Sequence, residues 1–119
     1  MKIAIVGSRR FKNRKKVIDL VNSLPQESVI VTGGCRGPDT WAENAAKKRG
    51  LKTIIFLPRL PPDDSPRHEF ITAYYERNRK IAQNADMVHA FVSPDRKGGT
   101  ENTINHAEAV NIPVVIHHE

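Results

Sequence analysis

Val29-Ile30-Val31-Thr32-Gly33-Gly34-Cys35-Arg36-Gly37-Pro38-Asp39-Thr40 decides the fold. A β-branched run stops at two glycines, and an Arg-Gly-Pro-Asp turn then opens a segment of helical periodicity. Val29 to Thr32 reads as a buried strand, Gly33, Gly34 and Gly37 permit backbone angles closed to other residues, and Pro38 suits the first turn of a helix. A strand, a glycine turn and a helix in that order leave backbone N–H groups unpaired at the positive end of a helix dipole. A phosphate or carboxylate can sit there. Arg36 adds a fixed positive charge. A tight turn that binds nothing is the bland alternative for this stretch alone, and the rest of the chain weighs against it.

The same pattern repeats on both sides. Upstream, Lys2 to Val6 is a nearly continuous apolar run ending at Gly7, as expected of a central parallel strand covered on both faces. Ser8, Arg9 and Arg10 follow in a loop, and Val17, Ile18, Leu20, Val21 and Leu24 give helical spacing from about Asn13 to Leu24, closed by Pro25. Downstream, a helix runs from Pro38 to about Arg49 with Trp41, Ala42, Ala45 and Ala46 inward, and Gly50 ends it. Thr53 to Leu57 is the third strand. Pro58 to Pro66 carries four prolines and reads as a loop. A helical pattern follows from about Arg67 to Asn84, then a strand in Asp86 to Val92. A second glycine turn, Lys97-Gly98-Gly99-Thr100, opens a helix that reaches about Val110, and Ile112 to Ile116 is the fifth strand.

Five strands alternating with four helices require parallel pairing and right-handed crossovers. The expected fold is an α/β, Rossmann-like three-layer sandwich, one domain over residues 1–119, with a five-stranded parallel sheet in the order 3-2-1-4-5. In that order the first and fourth strands are neighbours whose following helices lie on opposite faces, so a crevice opens at their carboxyl ends. The loops holding Gly7, Ser8 and Arg9, then Gly33 to Gly37, then Lys97 to Thr100, all meet there.

Composition agrees with an anionic partner. The 19 Lys and Arg residues exceed 13 Asp and Glu, a formal charge of +6. Part of that excess, Lys12 to Lys16 and Lys47 to Arg49, reads as solvated helix faces. The single cysteine, Cys35, excludes an internal disulfide and leaves too few thiols for a zinc site, and a nucleophilic role is the minor alternative for it. The five histidines show no metal spacing, so no metal or cofactor is expected. No run approaches the roughly 18 apolar residues of a membrane span, and the charged start runs directly into a strand. The expectation is a cytoplasmic protein without a membrane partner.

Gly7-Ser8-Arg9, Thr32 to Asp39, Arg77-Asn78-Arg79-Lys80-Ile81-Ala82 and Gly99-Thr100 together resemble the SLOG superfamily over essentially the whole chain. That superfamily joins the DNA-processing A (DprA/Smf) proteins to the Lonely Guy phosphoribohydrolases, formerly "lysine decarboxylases". The resemblance to the DNA-processing proteins is closest at Gly34 to Asp39 and Arg77 to Ala82, and it implies single-stranded nucleic acid as a partner. The resemblance to the Lonely Guy enzymes implies a nucleotide-derived small molecule and release of a base from a nucleoside monophosphate. Those enzymes use an arginine matching Arg77 and a glutamate two or three positions after the threonine of their glycine loop. Here those positions are Asn102 and Thr103, and the acid, Glu101, directly follows Thr100. The superfamily also implies a homodimer.

N-glycosidic hydrolysis passes through an oxocarbenium-like state and needs a carboxylate near the ribose and donors for the phosphate. Arg77 and Glu101 are the catalytic candidates, with Asp39 as the other candidate for the acid. Gly7, Ser8, Arg9, Gly33, Gly34, Arg36, Gly37, Asp39, Asn78, Lys97, Gly98, Gly99 and Thr100 are candidates for binding the ligand and its phosphate. Thr100 can instead cap its helix, and Asp39 can instead brace the glycine turn. A helix unbroken from Arg67 would put Arg77 about 15 Å from its start, too far to reach the sheet edge. A helix starting near Tyr75 or Glu76, preceded by a short separate helix over the crevice, is therefore expected.

Overall fold

A computed structural model describes all 119 residues. The elements are β1 (Lys2–Gly7), α1 (Arg14–Ser23), β2 (Val29–Thr32), α2 (Pro38–Lys48), β3 (Lys52–Ile55), α3 (Arg67–Gln83), β4 (Met87–Phe91), α4 (Gly99–Ala109) and β5 (Val114–His117). All strand pairs are parallel, and the sheet order is β3-β2-β1-β4-β5. This is the expected doubly wound arrangement.

Alternation along the strands divides the core in two. Ile3 and Ile5 of β1 pack with Phe11, Val17, Val21 and Ala42 under α1 and α2. Ala4 and Val6, their neighbours in sequence, pack with Ile81, Ala82, Ile104 and Ala107 under α3 and α4. Each fully buried Ile, Val or Phe contributes roughly 1.5–3 kcal/mol. The alanines at the helix contacts hold helix and sheet close together, so the loops at the strand ends are held by well-packed elements.

Strand ends shift by a residue or two for local reasons. β5 begins at Val114 rather than Ile112. Pro113 has no N–H for the ladder, although its carbonyl still accepts from Val88 at 2.9 Å. At the far side of β4, His89 and His117 stack with their ring nitrogens 2.9 Å apart. Burial, then the neighbouring His117, lowers the His89 pKa to about 4.

The larger correction concerns α3. It is one continuous helix of 17 residues from Arg67, with no break near Tyr75 and no separate helix before it. The expectation failed in its premise that a helix must begin at the sheet edge. Only Arg77, Asn78, Ile81 and Ala82 of α3 are buried, so its first ten residues, about 15 Å of helix, project past the sheet. Arg77 therefore stands at the edge although it lies midway along its helix.

Candidate site at the carboxyl edge of the sheet

Three glycine loops converge where β1, β2 and β4 end. The Asp39 carboxylate accepts from the Gly33 N–H at 2.9 Å and the Gly7 N–H at 3.2 Å, one oxygen to each loop. It comes from the first turn of α2, so the same residue ties two loops to a helix N-terminus. A Cβ at Gly7 would collide with the Pro38 ring, which explains why the first strand ends on glycine. Gly37 has φ +90° and lies against the backbone of Ser8 and Arg9, again joining the first two loops.

The third loop is joined by side chains. Arg10 Nη1 meets the Asp95 carboxylate at 2.6 Å across the β1 and β4 loops, an exposed pair that aligns the loops more than it stabilises them. The Ser93 hydroxyl, then Arg10, holds the Asp95 carboxyl down to about 2. Asn78 Nδ2 donates to the Gly99 carbonyl at 3.3 Å and to Asn102 Oδ1 at 3.2 Å.

Arg77 closes the network from α3. Its Nη1 donates to the Gly33 carbonyl at 2.6 Å, its Nη2 to Cys35 Sγ at 3.3 Å, and its Nε to Asn78 Oδ1 at 3.0 Å. The guanidinium is buried, and its charge lies close enough to Asp39 to favour the ionised carboxylate. Burial nevertheless outweighs that charge and the backbone donors, and pushes the Asp39 carboxyl up to about 6. Asp39, Arg77 and Asn78 together make three flexible turns into one supported rim.

The candidates divide by exposure. Gly33, Asp39, Arg77, Asn78 and Thr100 are buried, whereas Arg9, Gly34, Arg36, Lys97, Gly98 and Gly99 face solvent and Gly7, Ser8 and Gly37 lie between. Arg9, Arg36 and Lys97, one on each loop, take no part in any of the five ion pairs. Gly98, with φ +109° and open space around its Cβ position, holds the N-cap position of α4, so Thr100 is not the cap. Neither acid named for hydrolysis presents a free oxygen to the crevice. Glu101 receives Arg96 at 2.8 and 2.9 Å, and Asp39 receives the two backbone N–H groups.

Sequence reasoning missed the Arg10–Asp95 bridge and the role of Cys35 as an acceptor for Arg77. Opposite charges three and four residues beyond the ends of neighbouring strands were a signal for the first. Nothing in the sequence pointed to the second.

Fold and site together define a Rossmann-like domain whose strand-end loops form a basic, amide-rich rim. No family model matches the chain. It is 41% identical over 58 residues to the DNA processing protein DprA of Streptococcus pneumoniae, a match covering 47% of this chain and 21% of that protein. The X-ray structure of DprA from Streptococcus pneumoniae superposes with a TM-score of 0.76 at 26% identity, covering 97% of this chain and 49% of that one. The C-terminal domain of a Pyrococcus furiosus hydrogenase shares the fold alone, with a TM-score of 0.53 at 14% identity over 97% of this chain and 89% of that one. The chain is a DprA-like domain, spanning half or less of the DprA proteins it matches.

Proposed function

We propose that this domain binds single-stranded nucleic acid along the carboxyl edge of its sheet. The observation that carries the reading is the set of cations without acidic partners, Arg9, Arg36 and Lys97, one on each glycine loop. Around them, Gly34, Gly37, Gly98 and Gly99 offer backbone amides to a phosphate without a side chain intervening, in the turns that open α2 and α4, whereas the Gly7 and Ser8 N–H groups are already given to Asp39 and to the Phe91 carbonyl. Such contacts track a phosphate backbone and are tolerant of sequence. Asp39, Arg77 and Asn78 act as positioning residues that hold the loops in place. The likeness to a DNA processing protein supports the same class of partner.

Release of a base from a nucleotide finds less support, because the acids it would use are engaged by Arg96 and by backbone N–H groups.

Titration with an oligothymidylate at several salt concentrations tests the proposal. Three phosphates neutralised on a single strand give a slope of log affinity against log salt of about −2. Between about 50 and 200 mM salt, affinity is expected to fall roughly twentyfold. Arg9→Ala, Arg36→Ala and Lys97→Ala together are expected to flatten that slope. Binding that is absent, or that ignores salt, would remove the proposal.

A further inference from the structure

We infer that the groove between α1 and α2 continues the single-stranded path away from the glycine loops, with Trp41 as a platform on which a base stacks. The inference rests on the nucleic-acid reading above but on different residues. Both helices begin at the glycine edge: Arg14 is the first residue of α1, and Trp41, half-buried with one part packed on the core and the rest open to the groove, lies in the opening turns of α2. Between them lies a groove of about 610 Å³ lined by Arg14, Asn22, Trp41, Asn44, Lys47 and Lys48, with no acid among its lining residues. Lys47 pairs with Glu43 at 2.7 Å, but Arg14 and Lys48 enter no ion pair.

The arrangement along the groove favours a nucleic-acid strand over an acidic peptide. Trp41 and Lys48 lie on one wall, and Arg14 and Asn22 on the other, each pair two helical turns apart, about 11 Å. An aromatic face therefore comes first, next to a guanidinium, and the amides and further cations follow. The Arg14 guanidinium carbon sits 5.3 Å from the Trp41 ring centroid, a cation–π contact with the ring that a π-stacked base can replace. The displaced guanidinium is then free to meet that nucleotide's phosphate. Asn22 and Asn44 offer donors and acceptors to base edges, which a run of carboxylates would not use.

Trp41 is the only tryptophan, so tryptophan fluorescence, excited at the red edge where Tyr74 and Tyr75 do not absorb, reports on this groove. Oligothymidylates of about 4 and about 16 nucleotides span the range of single-strand site sizes. The longer one is expected to quench the fluorescence and to bind about tenfold tighter than the shorter, as one base–aromatic stack allows. Arg14→Glu with Lys48→Glu, both on helix surfaces, is expected to abolish the quench and bring the longer oligomer down to the affinity of the shorter, whose binding stays unchanged. Trp41→Phe, which keeps a stacking ring, is expected to retain the length preference. Tight binding of the longer oligomer without quenching, unaffected by the Arg14 and Lys48 changes, would overturn the groove while leaving the edge site standing. Quenching by polyglutamate and not by oligothymidylate would assign the groove to an acidic protein segment and overturn the inference. Failure of both oligomers to bind would refute the underlying reading itself.

Discussion

Asp39→Ala is expected to lower the unfolding free energy by about 3 kcal/mol and to loosen the first two glycine loops together. The substitution removes the acceptor of the Gly33 and Gly7 N–H groups, and a buried donor left unpaired costs roughly 1–3 kcal/mol. It also removes the negative charge facing the buried Arg77 guanidinium. Asp39→Asn separates charge from shape and carries a pH signature. The folded-state pKa of about 6 lies above the ordinary 3.8, so the stability this group contributes is fully present below pH 3.8 and is lost as pH rises through 6. An asparagine does not titrate. Its deficit relative to the parent should therefore be larger at pH 4 than at pH 7, by about 2 kcal/mol. Urea unfolding of both proteins at the two pH values measures this, and equal deficits would mean that the Asp39 carboxyl titrates normally.

Arg77→Ala should cost a comparable amount, about 3 kcal/mol, and weaken oligonucleotide binding although Arg77 is placed beneath the rim. The Gly33 carbonyl, the Asn78 side chain and Cys35 Sγ each lose a donor, and the helix gives up a buried side chain. The Arg77 charge opposes the burial of Asp39, so its removal should raise the Asp39 pKa further. The two substitutions share partners, and the double variant should be less destabilised than the sum of the singles. Arg77→Lys keeps the charge but cannot reach Gly33, Cys35 and Asn78 at once, so it should recover part of the stability. Thermal unfolding of the two alanine variants, the double variant and Arg77→Lys decides this. Additive losses would show that Arg77 and Asp39 act independently.

Local rules made most of the fold legible. Apolar runs ending in glycine marked β1 and β2, proline breaks marked the loop before α3, and strict alternation of strands and helices left one common sheet order. The glycine loops were legible for the same reason: Gly37 is needed at φ +90°, and Gly7 leaves room for the Pro38 ring. The overhang of α3 was not legible, because periodicity shows which face of a helix is buried and not where along its length the sheet begins. Tyr74 and Tyr75 fit a helical pattern equally well on or beyond the sheet, and they lie exposed. Nor could spacing reveal that Glu101 pairs with Arg96. Arg96 also adopts φ +54°, a left-handed conformation uncommon for a non-glycine residue and one that spacing does not reveal.

The most direct test of the central claim is a map of backbone amide chemical shifts during titration with a short oligothymidylate. The largest changes are expected at Gly7 to Arg10, Gly34 to Gly37 and Lys97 to Thr100, all three loops moving with one affinity. Changes concentrated instead on α4 and the β5 edge, with the glycine loops silent, would contradict it.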